Sequence, residues 1–544
     1  MTSSMESHCL ALRDLPHTTK LFATFIDDFS RVGRYYAHPP TEAGILAAAR
    51  EVQLAPEIRR AVVEVLREQN RRFAPGSVVD AETAKNLGRL AGGAAAIVSG
   101  QQVGLFSGPA YSIYKAVTAL RWADAITRRG VDAVPIFWLA TEDHDLAEVN
   151  HSDWNTRSGL GHYELPARKE DEGKRVGEVS LGEGINALAE KAAEALEGSY
   201  ADEIATALRE SYAPGDTYGS AFGKLMARLL AGRGIILIDP LDARLHRVAA
   251  GVYRRALDEA DSLRDALLTR SKELDRGGFH AQVKVTRETT LLFYNVDGRR
   301  QPLRRHNGGF SAGKATFKPD ELRAAIEKTP EAFTANVLLR PVIQDTILPT
   351  AGYIGGPAEI AYMAQAQVAY KTLLGRMPAI LPRAGFTLVE QPVARLLKKY
   401  NLDVCDVIRG RQHLRAKMEQ KSLPRGLARR FEADDKALRR MLKAYRKPLE
   451  RLDRTLLGAR DSSERKIFHQ FLKLKRKAGR AENFRTGVLD RHERMLLDAL
   501  YPHRDLQERT LCALPFIAGV GPEFFDELAH AADLASPQHH LLFL

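Results

Sequence analysis

The stretch from Ser99 to Lys115, SGQQVGLFSGPAYSIYK, combines glycines, amides and a lysine in a pattern that could bind an anion. Gly100, Gly104 and Gly108 would let backbone N–H groups approach a ligand closely. The proline that follows suits the first turn of a helix, and a helix N-terminus favours phosphate or carboxylate. Side chains that could add hydrogen bonds or hold phosphates are Gln101, Gln102, Ser107, Tyr111 and Lys115. The alternative is a tight strand-to-helix turn, since this stretch contains neither a Walker A sequence nor the GxGxxG fingerprint.

A second cluster, Glu142–Asp145 (EDHD), places three carboxylates and a histidine directly after an apolar run. Acids at the end of a buried strand need a cationic partner, because burial and mutual repulsion disfavour their charged forms. Asp143 and Asp145 could bind an ammonium group or Mg²⁺ carried by a nucleotide, and Glu142 could contact substrate. His144 is a candidate general base, because imidazole titrates near neutral pH. The alternative is a solvated loop, and we assign no metal-ligand set because the zinc-type HExxH spacing is absent from this cluster.

The third stretch, Asn336–Tyr362, sets charged side chains in an apolar segment that contains IGGPAEI, a second Gly-Pro helix entry. Charged residues in such a setting are rarely buried unless they are paired. Candidate binding residues here are Asn336, Arg340, Gln344, Asp345 and Glu359. Arg340 could meet substrate carboxylates. Glu359 is either an ordinary first-turn acid, which the helix dipole favours, or a ligand for a substrate amine or hydroxyl.

These three stretches are predicted to be held by an α/β core over residues 91–390. Apolar runs at GGAAAIVSG and AVPIFWLA flank a helical segment, which predicts a βαβ unit and hence a parallel sheet. GRGIILIDP and MPAILPR predict further buried strands. We interpret residues near 155–231 and 243–335 as insertions, the second with a hairpin at AQVKVTRETTLLFYNVDGRR. Residues 1–90 are expected to be a helical segment packing on the core, with helical periodicity over about 42–70.

Residues 391–500 are predicted to form a helical arm, and residues 501–544 are predicted to return to the core. Leucines at coiled-coil spacing run from Leu438 to Leu456, and a second run starts at Ile467. We expect GARDSS (Gly458–Ser463) to break the helix and Pro448 to kink it, giving an antiparallel hairpin. The arm either packs on its own domain or pairs with another subunit.

Composition limits the function classes. The 544 residues carry a net charge of +12 and three scattered cysteines without a CxxC motif, which excludes a disulfide scaffold. We find no apolar segment of signal-peptide or membrane-spanning type and expect a cytoplasmic protein. Residues 391–500 hold 30 Lys and Arg against 14 Asp and Glu, so the positive excess lies in the arm. Such charges are usually a solvated helix face, and we expect neither a nucleic-acid nor a membrane partner.

The segments SGQQVGLFSGPAYSIYKA, PIFWLATEDHDLAEVNH and RPVIQDTILPTAGYIGGPAEIAYMAQ resemble the BshC family of bacillithiol biosynthesis nearly end to end. The resemblance implies a Rossmann-like core with insertions, related in architecture to class I aminoacyl-tRNA synthetases, and a coiled-coil arm used for homodimerisation. The HIGH and KMSKS motifs of those synthetases do not occur in this sequence. The implied activity is a cysteine ligase that adds cysteine to glucosaminyl-malate in the last step of bacillithiol biosynthesis.

Three hypotheses follow. In the first, ATP activates the cysteine carboxylate as an adenylate or acyl phosphate, the sugar amine attacks, and Mg²⁺ enters through the nucleotide. Here His144, Asp143, Asp145 and Lys115 would be the catalytic group. In the second, the protein is a non-catalytic nucleotide or metabolite sensor whose arm binds a partner. In the third, EDHD forms a metal-dependent hydrolase.

Overall fold

The computed structural model describes residues 7–419, 421, 423 and 425–544. The chain divides into two compact units. The first runs to Thr387 and includes Glu508–Leu542, and the second is Leu388–Gln507 with Phe543–Leu544. Residues 1–6 of the predicted N-terminal segment and residues 420, 422 and 424 of the predicted arm lie outside the described residues.

The N-terminal segment contains a strand as well as helices. Its elements are β1 (Ser7–Leu10), α1 (Lys20–Asp27), α2 (Glu42–Glu51), α3 (Pro56–Phe73) and α4 (Ala81–Ala91). The helical structure predicted over about 42–70 is confirmed, and it consists of two helices, α2 and α3. Thr41 caps the first, and Pro56, which has no N–H to donate, begins the second.

The predicted βαβ unit is confirmed and is followed by a first inserted region. The unit comprises β2 (Ala95–Gln101), α5 (Tyr111–Arg128) and β3 (Ala133–Leu139). The region after it holds α6 (Leu146–Val149), β4 (His151–Thr156), β5 (Gly159–Glu164), α7 (Gly184–Glu194), α8 (Ala201–Ser211) and α9 (Tyr218–Leu229). The chain then returns to the core as β6 (Ile236–Ile238).

A second inserted region carries its own antiparallel sheet. Its elements are α10 (Ala243–Asp258), α11 (Ala260–Arg276), β7 (Thr289–Val296), β8 (Arg299–His306), β9 (Gly309–Ala312), β10 (Ala315–Phe317), α12 (Pro319–Lys328) and β11 (Phe333–Ala335). The strand order is β10-β9-β8-β7-β11. The predicted hairpin is confirmed as β7–β8, whose turn residues Asp297 and Gly298 both have positive φ, as a two-residue hairpin turn requires.

The core is completed by α13 (Arg340–Ile347), β12 (Thr350–Gly355), α14 (Pro357–Leu373), β13 (Ala379–Pro382) and β14 (Gly385–Val389). Its parallel sheet has the order β13-β12-β2-β3-β6. The predicted parallel α/β core and its four predicted strands are confirmed. Strand β12 was not predicted, because its two glycines weaken the strand pattern of TAGYIG.

The second unit is helical. It holds α15 (Gln391–Tyr400), α16 (Val404–Ile408), α17 (Arg411–Glu419), α18 (Arg425–Ala444), α19 (Arg446–Leu452), α20 (Leu456–Thr486) and α21 (Val488–Leu500).

The C-terminal elements of the chain are α22 (Gln507–Thr510), α23 (Leu514–Val520), α24 (Glu523–Ala531) and β15 (His539–Phe543). Strand β15 pairs antiparallel with β1 in a three-stranded sheet that also contains β14.

The arm is an antiparallel helical hairpin, as predicted, but its turn is elsewhere. Arg460 donates to the Leu442 carbonyl, and Phe431 stacks edge-on against Phe471, so α18 and α20 run in opposite directions. The predicted break at GARDSS is wrong, because α20 continues through it. A single helical glycine costs only about 1 kcal/mol. The chain instead turns where Asp453 accepts from the N–H and hydroxyl of Thr455.

The kink predicted at Pro448 is confirmed, since α18 ends at Ala444, four residues before the proline that cannot donate to its carbonyl. In the described ranges, no helix is both long and apolar enough to cross a bilayer.

The central strand β2 predicts a stability test. Ile97 is fully buried beside Gly352 of the neighbouring strand, in the hydrophobic cluster that contains Trp122 and Leu381. Ile97→Ala is expected to lower the free energy of unfolding by about 2–5 kcal/mol, through lost burial and a residual cavity. Chemical denaturation measures this. Val78→Ala, at a side chain 74% exposed, is the control and should change stability by less than about 0.5 kcal/mol.

Candidate active site

A cavity of about 580 Å³ lies at the carboxyl edge of the parallel sheet, within the first unit. Its walls include residues that end or follow β2, β3, β12 and β13, as expected for ligand sites of open α/β sheets. Predicted residues that line it are Gly100, Gln101, Gln102, Tyr111, Lys115, Glu142, Asp143, His144, Asn336, Arg340 and Glu359. Predicted residues that do not line it are Gly104, Ser107, Gly108, Asp145, Gln344 and Asp345.

Lys115 is buried and fully engaged. From α5, its Nζ donates to the Gly100 carbonyl and to Gln101 Oε1, both at 2.8 Å, and lies 2.5 Å from Glu359 Oε2. An ammonium group has three donors, so these contacts use all of them. Lys115 therefore holds the end of β2 beside the start of α14 and has no donor left for a phosphate.

Glu359 is held just as tightly. Its carboxylate accepts from the Gly356 N–H at 2.8 Å, a helix-capping contact, and from Tyr353 Oη at 2.6 Å. Burial alone would raise the pKa of Glu359, but the charge of Lys115 and these hydrogen bonds outweigh burial and lower it. Of the two roles considered for Glu359, the first-turn acid is the one that this geometry displays.

Arg340 is oriented by neighbours on three elements. Its guanidinium donates to Gln344 Oε1 at 3.1 Å and to the hydroxyls of Tyr353 and Tyr362 at 3.0 and 3.3 Å. Gln344 in turn donates to Asp345, which also accepts from the Tyr370 hydroxyl. Gln344 and Asp345 are therefore a buried layer that supports Arg340 from outside the cavity. Asn336 caps the turn before α13 by accepting from two backbone N–H groups.

The glycine-rich loop closes on itself beyond the cavity edge. A Cβ added to Gly104 would lie 2.9 Å from the Gly108 Cα, so the two backbones touch. Gly108 has a φ of +63°, and the Ser107 hydroxyl lies 3.7 Å from Cys512 Sγ in a buried setting. Phe106 packs edge-on against Trp154 and Tyr212. The loop residues that reach the cavity are its first three, Gly100–Gln102.

Gly100 and Trp138 face each other across neighbouring strands. A Cβ on Gly100 would lie 2.7 Å from the Trp138 carbonyl oxygen, so this position accepts no side chain without a shift. Trp138 is buried but also lines the cavity, and its indole N–H has no acceptor among the described residues.

Asp143 has partners on three residues around it. It accepts from Gln102 Nε2 at 2.9 Å and from the His144 N–H at 2.7 Å, and Arg300 lies 3.6 Å away. Burial alone would raise the pKa of Asp143, but its hydrogen bonds and the charge of Arg300 outweigh burial and hold it well below its usual range. Gln102 also donates to Glu148 at 2.8 Å. Asp145 lies apart from this cluster, exposed, as the N-cap of α6.

His144 and Glu142 have very different neighbours. Arg300 Nη1 lies 2.8 Å from His144 Nδ1. Glu142 is 7% exposed, and no hydrogen-bond donor reaches its carboxylate in the part of the chain described. The nearest cationic candidate is His246 Nε2, 3.6 Å away. Burial raises the pKa of Glu142 to about 7, even though Arg300 and Arg175 oppose the shift.

Three arginines that line the cavity were not predicted from the sequence: Arg300, Arg383 and Arg509. Arg300 comes from β8 of the inserted sheet, where it donates to Thr334 and to the Ala335 carbonyl and covers the Phe293 ring. Arg383 is fixed by two hydrogen bonds to Glu508. One arginine among several in a hairpin carries no local signal of such a role. Arg383 follows a predicted strand, which is a usable signal.

No group of three or more His, Cys, Asp and Glu residues is arranged to hold a metal ion in the ranges that the structure covers. The hydrolase hypothesis therefore has no ligand set among those residues.

A parallel sheet with inserted regions, a charged cavity at its carboxyl edge and a helical hairpin define an enzyme of the Rossmann-like class. Residues 5–384 match the family model "Bacillithiol biosynthesis BshC, N-terminal Rossmann-like domain", and residues 386–544 match "Bacillithiol biosynthesis BshC, C-terminal coiled-coil domain". The chain belongs to the BshC family and is a ligase, which confirms the resemblance seen in its motifs.

Relatives match along nearly their whole length. The chain is 41% identical to a Koribacter versatilis protein named "Putative cysteine ligase BshC", over 98% of this chain and 99% of that one. Proteins of the same name from Solibacter usitatus and Salinibacter ruber are 38% and 31% identical. These matches cover 98% and 96% of this chain, and 99% and 96% of the respective relatives.

The Lys115–Glu359 pair predicts a large stability effect. Lys115→Met leaves Glu359 buried without its cation and is expected to lower the free energy of unfolding by about 3–5 kcal/mol. The double variant with Glu359→Gln should recover part of the loss, and a double-mutant cycle by chemical denaturation measures the coupling. The matched control is Lys85→Met, which breaks the exposed pair with Glu82 and should cost under about 1 kcal/mol.

The same pair has a defined pH dependence. Because the pKa of Glu359 is lowered in the folded protein, the pair stabilises the fold above the pKa of an unfolded glutamate. The stabilisation is lost as pH falls through the folded pKa. Equal stability of wild type and Lys115→Met at neutral pH would contradict the assignment.

Proposed function

We propose that this chain joins the carboxyl group of cysteine to the amino group of glucosaminyl-malate, the last step of bacillithiol biosynthesis. The observation that carries the proposal is one cavity that presents both acidic and basic side chains at the carboxyl edge of the sheet. Cysteine carries an ammonium and a carboxylate, and the malate moiety carries two carboxylates. The family match and the names of the relatives support the same reaction.

The charges of the cavity suggest where each substrate group binds. Asp143 and Glu148 share Gln102 and form an acidic wall suited to the cysteine ammonium. Arg340 and Arg383 lie among the basic residues suited to carboxylates or phosphates. Since Lys115 is engaged by three partners, the phosphate role falls in this proposal to Arg383, which lines the cavity beside the start of α14.

Amide formation in water is uphill, so the carboxylate must be activated. We infer that ATP is the cosubstrate and that Mg²⁺ is held by its phosphates. Positioning and charge stabilisation are the main demands of phosphoryl or nucleotidyl transfer. A sheet edge walled by arginines meets those demands. The adenylate and the acyl phosphate remain alternative intermediates. We also propose that the reaction takes place in the cytoplasm.

Incubation with cysteine, glucosaminyl-malate, ATP and Mg²⁺ should yield bacillithiol, detected by mass spectrometry. ATP should be consumed with product, because activation and amide formation are coupled. AMP with pyrophosphate would indicate an adenylate, and ADP with phosphate an acyl phosphate. Omission of ATP should abolish product, and Val78→Ala should retain full activity. Absence of both product and ATP consumption would contradict the proposal.

The arm is proposed to form a homodimer. Most of the large apolar side chains that are exposed in the described residues lie on α18–α20 or between them: Leu427, Met441, Tyr445, Leu452, Ile467, Leu472 and Leu474. Contiguous exposed apolar surface marks an interaction site, and a second copy of the same coiled-coil domain offers the matching surface.

Charges on this surface should break the dimer. Light scattering should give twice the 60.4 kDa chain mass for the wild type. It should give the single chain mass for Leu452→Asp/Leu474→Asp, because buried aspartates lose solvation without a cationic partner. These leucines are 77% and 58% exposed. Val78→Asp, 74% exposed in the first unit, is the matched control and should remain dimeric. A monomeric wild type would contradict dimerisation.

A further inference from the structure

Adjacent acids Glu142 and Asp143 line the same cavity but have different partners. Asp143 accepts two hydrogen bonds, lies 3.6 Å from Arg300 and is held ionised. Glu142 receives no hydrogen bond from any described donor, although it is buried and lines the cavity. A buried carboxylate whose charge no hydrogen bond stabilises takes a proton from an entering group more readily than one that hydrogen bonds and an arginine hold ionised. Of these two acids, only Glu142 therefore has the geometry of a proton acceptor.

His144 has the geometry of a donor. A guanidinium has donors and no acceptor, so the 2.8 Å contact with Arg300 Nη1 requires a lone pair on His144 Nδ1. The proton of the neutral ring then resides on Nε2. The Asp143 contact to the same Nδ1 is longer, at 3.4 Å, and gives way to the arginine. Arg300 is itself fixed by Thr334 and the Ala335 carbonyl, so it cannot turn aside to free Nδ1.

We propose that Glu142 accepts the proton of the attacking amine and that His144 donates a hydrogen bond from Nε2 to the reacting carboxyl group. This inference rests on the proposed ligase function, and it reverses the role of general base that the sequence suggests for His144.

The substrate amine uses its nitrogen lone pair to form the C–N bond to the acyl carbon that the nucleotide has activated. One N–H proton passes to the Glu142 carboxylate. The bond between the acyl carbon and the phosphate oxygen breaks, and its electron pair leaves with the phosphate. His144 Nε2–H stabilises the negative charge on the carbonyl oxygen without transferring its proton. Glu142 then releases the proton to solvent through the cavity.

The charged groups around Glu142 influence the pH above which it can accept a proton. The charged and titratable groups that face it are Arg175, Asp239, His246, Tyr253, Arg300 and Arg340. Burial outweighs the three arginines and raises the pKa of Glu142 to about 7. Turnover should therefore rise with pH to a plateau above about 7, as the carboxyl group ionises.

The test uses the full chain with cysteine, glucosaminyl-malate and ATP over pH 5.5–9. Glu142→Gln is expected to reduce kcat about 10²–10⁴-fold and to remove the rise near pH 7, because it can accept no proton. His144→Gln should reduce kcat but keep the rise. Product formation by Glu142→Gln with an unchanged pH profile, or loss of the rise in His144→Gln alone, would overturn the roles of these two residues.

Glu142→Asp provides a second variant where Glu142→Gln does not fold. It keeps a carboxylate and should keep the rise in kcat at a reduced rate, and loss of the rise would count against the proposal. Failure of the wild type to make product would overturn the proposed function. Product from the wild type with an unaltered Glu142→Gln profile would overturn only the proton-transfer assignment.

Thermal unfolding without substrate gives a readout that does not depend on turnover. Because burial raises the pKa of Glu142, wild type should lose stability relative to Glu142→Gln as pH rises from about 5 to 7. The difference in thermal midpoint should level off above pH 7. A difference that does not change with pH would show that Glu142 does not titrate in this range and would overturn the assignment.

Discussion

A buried ammonium group joins two βα units at the carboxyl edge of the parallel sheet. Lys115 on α5 binds the end of β2 through Gly100 and Gln101, and binds the start of α14 through Glu359. Both charges lie largely out of water, so each is tolerable only because the other is present. The contact locks together the two βα units whose strands lie side by side in the sheet. The cavity wall on this side therefore has one defined arrangement.

The inserted sheet supplies one wall of the cavity that the core begins. Strand β8 brings Arg300 against His144, which lies 156 positions away in the sequence. The arginine thereby influences both Asp143 and the tautomer of His144. Glu142, next in sequence to Asp143, lacks such partners and stays close to the balance between its two protonation states. Adjacent residues thus receive different chemical characters from distant neighbours.

Local patterns predicted much of the fold, and their failures have local causes. Continuous apolar runs identified four of the five core strands, because parallel strands are buried on both faces. Strand β12 escaped because glycines dilute its pattern. In the arm, the heptad spacing indicated paired helices, but the turn fell at Asp453 instead of Gly458. A helix tolerates one glycine, whereas an aspartate that accepts from nearby donors ends it.

Local patterning and long motifs were enough to predict the α/β class, the family and the segments that reach the carboxyl edge of the sheet. The sequence also predicted Glu142 and His144 as site residues, and both line the cavity. Tertiary structure alone decided that Lys115 has no free donor, that Gly104 and Gly108 pack on each other, and that Arg300 holds His144. Burial and pairing depend on groups far apart in the chain. Protonation states follow from burial and pairing, so residue type and spacing did not reveal them.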